Sequence, residues 1–130
     1  DKEFGCTAHL MDKHIDNGKI ILVKKFKINT KDNLSSLLKK THRNLYFLFK
    51  EVINGIKKNN LNYLKKSIKA SSGIKWVKKM YKLKDIDYIQ QIALNSTKKE
   101  IGKIIRSTYH PNFPPYIYIH GYKFILEKKV

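Results

Sequence analysis

The stretch Gly5-Cys6-Thr7-Ala8-His9-Leu10-Met11-Asp12-Lys13-His14-Ile15-Asp16-Asn17-Gly18-Lys19-Ile20-Ile21-Leu22-Val23 decides the fold. Small and β-prone residues run from Gly5 into His9-Leu10-Met11, which predicts a strand over 5–11. Ile20 to Val23 is continuously apolar, and Phe26 and Ile28 then alternate with lysines, so a second strand is expected over 19–28. Asn17-Gly18 is a turn dipeptide between them. Two carboxylates (Asp12, Asp16) and two imidazoles (His9, His14) thus gather where two strands meet. A carboxylate there can hold an imidazole, shuttle a proton or bind a water. The same residue types also make an ordinary turn, because Asp and Asn side chains fold back onto their own backbone. Residue types alone leave both readings open.

Outward from this stretch, Thr30–Asn33 supplies helix N-cap residue types. Leu34, Leu37, Leu38, Leu45, Leu48, Phe49, Val52, Ile53 and Ile56 then recur at three- and four-residue spacing. A long helix is expected to end within 55–60, with Asn59-Asn60 as its stop and a further short helical turn at Leu61, Leu64 and Ile68. Ala70-Ser71-Ser72-Gly73 reads as a linker, which divides the chain into residues 1–70 and 71–130. Trp76, Val77, Met80, Tyr81 and Leu83 mix with lysines without a period, and a strand is expected over 88–94. Thr97-Lys98-Lys99-Glu100 has capping-box spacing, and Ile101, Ile104, Ile105 and Tyr109 give the helix that follows one apolar face. The prolines of 110–115 end that helix in a rigid turn. Residues 116–119 and 122–126 flank His120-Gly121 in the pattern of a β-hairpin.

Composition bounds the partners. Lys and Arg number 28 against 10 Asp and Glu, a net charge of +18, which attracts polyanions. Only Arg43 and Arg106 are arginines, whereas phosphate-clamping surfaces favour arginine forks, so the lysine excess reads first as solvated faces. A single cysteine, Cys6, excludes an internal disulfide and reads as a small buried hydrophobe. The histidines and the cysteine show no metal-ligand spacing, so no metal site is expected. No run of about 20 apolar residues is present, so no membrane span is expected and a cytoplasmic protein is the default. The chain opens on Asp1 inside a strand-like element, which reads as a fragment.

The string Gly5-x-Thr7-x-His9-x-Met11-Asp12-x-x-Ile15-Asp16-x-Gly18-x-Ile20-Ile21 resembles the signature of the folate-dependent formyltransferases, with ten fixed positions in seventeen residues. The resemblance covers residues 1 to about 60. It implies an α/β fold: the C-terminal part of a Rossmann-like formyltransferase domain, strands plus a long helix, over 1–70, followed by a small helix and β-hairpin subdomain over 71–130. It implies transfer of a formyl group from N10-formyltetrahydrofolate to an amine, by an Asn that polarises the formyl oxygen, a His that handles protons and an Asp that holds the His. Asp16 matches the catalytic Asp, and Asp12, Lys13 and Ile15 fall on the segment that borders the folate. His9 matches the motif histidine and reads as a core residue. The Asn-x-His of the family precedes this loop by a few dozen residues, so the resemblance places it upstream, in a missing N-terminal half, and leaves this chain inactive alone. His110-Pro111-Asn112 imitates that turn, but Thr108 stands where the Asn belongs.

The tail, from Asn95 through Arg106 to the hairpin, is similar to the short closing unit of sugar nucleotide N-formyltransferases, with Arg106 in the usual arginine position. This implies a nucleotide-linked amino sugar as acceptor and a role in polysaccharide synthesis. A methionyl-tRNA formyltransferase-like protein, with tRNA as partner, and a non-catalytic basic RNA-binding module are the alternatives. Half of a parallel sheet would expose an apolar edge, so association with a second copy or with the missing half is expected.

Overall fold

The computed structural model describes residues 2–77 and 82–127, and its mixture of helices and strands is compatible with an α/β fold. Contacts divide the chain into two compact units. One comprises Asp1–Thr30 with Leu38–Lys78, the other Lys31–Leu37 with Lys79–Val130.

In the first unit, β1 (Glu3–His9) pairs antiparallel with β2 (Ile20–Lys27), close to the expected bounds. The parallel arrangement expected for this region does not occur here. Ten residues separate the two strands, and a parallel crossover needs a dozen or more. Phe4 lies opposite Phe26, their rings edge to face at 5.8 Å, and Cys6 lies opposite Lys24. Register shifts between Ala8 and His9, where the ribbon meets the loop. Ile20 and Ile21 are both buried, which explains why β2 begins as a continuous apolar run and alternates only later. The Cys6 thiol is buried and donates to the Thr41 carbonyl at 3.6 Å; burial pushes its pKa up, as befits a packed group and not a nucleophile.

Helix α1 (Leu34–Ala70) starts where expected. Asn33 caps it reciprocally with Ser36: the Ser36 N–H donates to Asn33 Oδ1 at 2.9 Å and the Asn33 N–H to Ser36 Oγ at 3.0 Å. Its interior breaks at Asn60, where φ is 49° and ψ −140°, so the expected stop is present and a second helical stretch runs on to Ala70. A straight helix would set Gly55 and Tyr63 about 12 Å apart along its axis. Instead the Tyr63 ring lies directly over Gly55, so the chain turns back at the break. Leu48 is fully buried. The Ala70–Gly73 stretch is not a free linker: Ser71 is buried and its hydroxyl donates to the Ile21 carbonyl at 3.0 Å.

In the second unit, the strand expected over 88–94 shrinks to β3 (Gln91–Ile92), preceded by helix α2 (Leu83–Gln90). Short apolar runs such as Tyr88–Ile89 do not distinguish strand from helix. Here Asp85 accepts from the Lys82 N–H at 2.7 Å and fixes the helix start. Gln90, buried at its end, donates through Nε2 to the carbonyls of Thr108 (3.3 Å) and Phe113 (2.6 Å). Met80 and Tyr81 lie outside the described residues. Helix α3 (Lys98–Thr108) carries the expected capping box. Strands β4 (Tyr116–Ile119) and β5 (Tyr122–Ile125) form the expected hairpin, turned by His120 and Gly121 at φ 49° and 82°, as a type I′ turn requires. β3 extends this sheet by pairing parallel with β4. Arg106 Nη1 donates to the Asp32 carbonyl at 2.9 Å, tying α3 to the segment 31–37.

The capping box carries a pH prediction. The Thr97 backbone N–H and then its hydroxyl, both 2.8 Å from Glu100 Oε2, hold the Glu100 carboxyl below its ordinary pKa. A depressed folded-state value contributes stability above the ordinary carboxylate range and loses it as pH falls through the lowered value. The difference in melting temperature between wild type and Glu100→Ala should therefore shrink on acidification through that window. A difference independent of pH would contradict the ionised cap.

Candidate functional site

The loop Leu10–Lys19 is closed at its base by the Leu10 N–H donating to the Lys19 carbonyl at 2.9 Å. Gly18 sits in that closure, buried, and a Cβ there would land on the Leu10 carbonyl. Only glycine permits this approach of the two chain segments. The Gly18 carbonyl accepts from Trp76 Nε1 at 2.8 Å, and the Trp76 ring meets His9 edge to face at 4.9 Å. His9 Nδ1 lies 3.0 Å from the Leu10 carbonyl, which can only accept, so Nδ1 carries the proton. His9 is thus an orienting residue at the loop base, partnered but only half-buried, where the sequence reading expected a core position.

The two carboxylates separate by partner. Asp12 turns onto its own loop: Oδ1 accepts the His14 N–H at 3.3 Å, Oδ2 accepts Asn17 Nδ2 at 3.1 Å, and His14 Nδ1 lies 3.5 Å away. Such contacts hold a turn. Asp16 sits in the left-handed region at φ 50°, exposed, and among the described residues no group hydrogen-bonds its carboxylate. Lys13 and Ile15 on the same loop are exposed, Ile15 at 79%, and so is Met11 at 94%. Asp12, Lys13, Ile15 and Asp16 thus share one exposed loop, in which Asp12 bonds to its own loop neighbours. Asp16 is left without a hydrogen-bond partner among the described residues.

The sequence reading passed over Trp76 and Ser71, which pin this loop and its outgoing strand from 58 and 50 residues downstream. The available signal was a lone tryptophan in a lysine-rich stretch: a buried indole N–H needs an acceptor, but a sequence does not say which. An open groove of about 910 Å³ lies at the other end of the ribbon, lined by Phe4, Gly5, Val23 and Lys25 among others, and includes none of the loop residues. His110 belongs to a closed turn, its carbonyl accepting the Phe113 N–H at 2.9 Å and its Nδ1 the Asn112 N–H at 3.2 Å, the rigid element that the prolines imply. Among the described residues no His, Cys, Asp or Glu side chains group so as to hold a metal ion, and no helix is long and apolar enough to cross a membrane.

No curated protein matches the chain. Residues 1–53, the ribbon, its loop and the first part of α1, match the family model described as formyl transferase, which supports a formyltransferase family for this protein.

Proposed function

We propose that the loop Leu10–Lys19 is the aspartate loop of an N-formyltransferase that moves a formyl group from N10-formyltetrahydrofolate to the amine of a nucleotide-linked amino sugar. The observation that carries the reading is the availability of Asp16: in a loop whose other carboxylate is consumed locally, it is exposed and has no partner among the described residues, inside the segment that matches the family model. On this reading residues 1–70 are the C-terminal part of a Rossmann-like domain and 71–130 its closing subdomain.

The chemistry assigns the roles. An amine attacking the formyl carbon places negative charge on the formyl oxygen and must lose a proton, and collapse of the adduct breaks the formyl C–N10 bond and releases tetrahydrofolate, its N10 taking up a proton. Asp16 would hold the imidazole that takes that proton and order the water beside it. On this reading the imidazole and the amide that faces the oxygen would be the Asn-x-His that the resemblance places upstream of the loop, while His9 Nδ1 faces the Leu10 carbonyl. Lys13, Ile15 and the backbone around Asp12 would border the folate ring. The tail similarity around Arg106 supports the amino-sugar acceptor over tRNA.

Trp76 provides the test. It is the sole tryptophan, and its indole is bonded to the loop base. Titration of the 130-residue chain with 5-formyltetrahydrofolate, a donor analogue that does not transfer its formyl group, should quench Trp76 saturably. Ile15→Asp should abolish the quenching without moving the melting temperature, since Ile15 is exposed. Unsaturable quenching, or quenching equal in Ile15→Asp, would remove the loop from folate binding.

A further inference from the structure

We propose that the face formed by α1 and β2 around Phe47 binds single-stranded RNA. Helix α1 carries nine Lys and Arg residues against one acid, Glu51, so the excess charge is not spread evenly over the molecule. Lys39, Arg43 and Lys50 recur at helical spacing on one side, and Lys24 reaches the same place from β2. Two of these cations flank a single ring: Lys24 Nζ is 5.5 Å and Arg43 Cζ 5.7 Å from the Phe47 centroid. Lys50 Nζ stands 5.2 Å over the neighbouring Tyr46, whose ring centroid is 6.0 Å from that of Phe47. Both rings are exposed, Tyr46 at 58% and Phe47 at 42%. Among the described residues no carboxylate pairs with Lys24, Arg43 or Lys50.

Like charges gathered without counter-charges repel one another, and a polyanion removes that cost while releasing its own counterions. The rings select among polyanions. Aromatic side chains set within about 6 Å of cations offer a stacking surface beside a phosphate partner, the combination that holds unpaired bases. A duplex keeps its bases stacked inside and offers these rings nothing. The face does not include the Asp16 loop, so the proposal stands apart from the formyl-transfer reading.

The test is fluorescence anisotropy with a labelled 20-nucleotide oligouridylate and the 130-residue chain, over a series of salt concentrations. Wild type should bind, with log affinity falling linearly against log salt. Tyr46→Ala, at an exposed position, should weaken binding roughly fivefold or more at unchanged salt slope, since stacking is not a counterion effect. Arg43→Gln with Lys50→Gln should weaken binding and flatten the slope by about 1–2. Lys98→Gln with Lys99→Gln removes the same charge from α3, in the other unit, and should cost less than half as much in log affinity. Equal loss from the two double variants would reduce the effect to net charge and overturn the site. Wild-type affinity in Tyr46→Ala, equal affinity for an RNA duplex of matched length, or tighter binding to anionic phosphatidylserine vesicles than to the oligouridylate would also overturn it.

Discussion

Asp16→Asn is expected to lower kcat for formyl transfer by about a thousandfold, within the range by which positioned proton-transfer groups accelerate reactions, while folate affinity stays within a factor of about two. The split follows from geometry. The Asp16 carboxylate is exposed and unpartnered among the described residues, so an isosteric amide disturbs neither packing nor the Asp12 network that shapes the loop. What changes is charge: an amide cannot stabilise an imidazolium across from it. On the proposed reading, the measurement is made in a protein that also carries the Asn and His of the mechanism. The 130-residue chain alone should show no turnover above background. An Asp16→Asn enzyme with wild-type kcat would remove Asp16 from the mechanism, and a parallel loss of folate affinity would make it a binding residue.

Gly18→Ala is expected to destabilise the first unit by about 3 kcal/mol, the upper part of the usual overpacking range, and to lower its melting temperature by roughly 12–24 °C. The new methyl would coincide with the Leu10 carbonyl and press on His9 Nδ1. The decisive clash is with the Leu10 backbone in the closure that holds the loop, so moving the His9 ring alone gives no relief. Relief requires opening the Leu10–Lys19 bond or moving the Gly18 carbonyl off Trp76. Either escape has a second signature, a shift in Trp76 emission as the indole loses its acceptor. A melting temperature within about 2 °C of wild type would mean that the loop base is looser than its contacts imply.

These predictions also mark what the sequence made legible. The ribbon, the Asn60 break, the Thr97–Glu100 cap and the His120-Gly121 hairpin all rest on local chemistry: alternation, turn dipeptides, side chains reaching nearby backbone. Each could be read within a few residues. Helix α2 was not legible, because Tyr88 and Ile89 suit either structure, and the choice falls to distant partners of Gln90 at Thr108 and Phe113. In the candidate site, the spacing of Asp12 and Asp16 was plain, but their division of labour was not. That depends on which way each carboxylate turns, and hence on the left-handed backbone at Asp16 and the amides of His14 and Asn17. The antiparallel pairing of β1 and β2 was in principle readable from a connection too short for a crossover.

The pinning of the loop by Trp76 has a consequence in time. The indole that holds the Gly18 carbonyl stands 58 residues downstream of it, and the Ser71 hydroxyl 50 residues downstream of Ile21. At a synthesis rate of about 5–20 residues per second, the ribosome makes the ribbon roughly 3–12 s before it makes the residues that fasten it. Through that interval a two-stranded ribbon with Phe4, Met11 and Ile15 bare must persist unfastened, and such a ribbon is marginal by itself. The nascent chain is thus most exposed to chaperones and to misassembly while its candidate catalytic loop already exists but has nothing to close against.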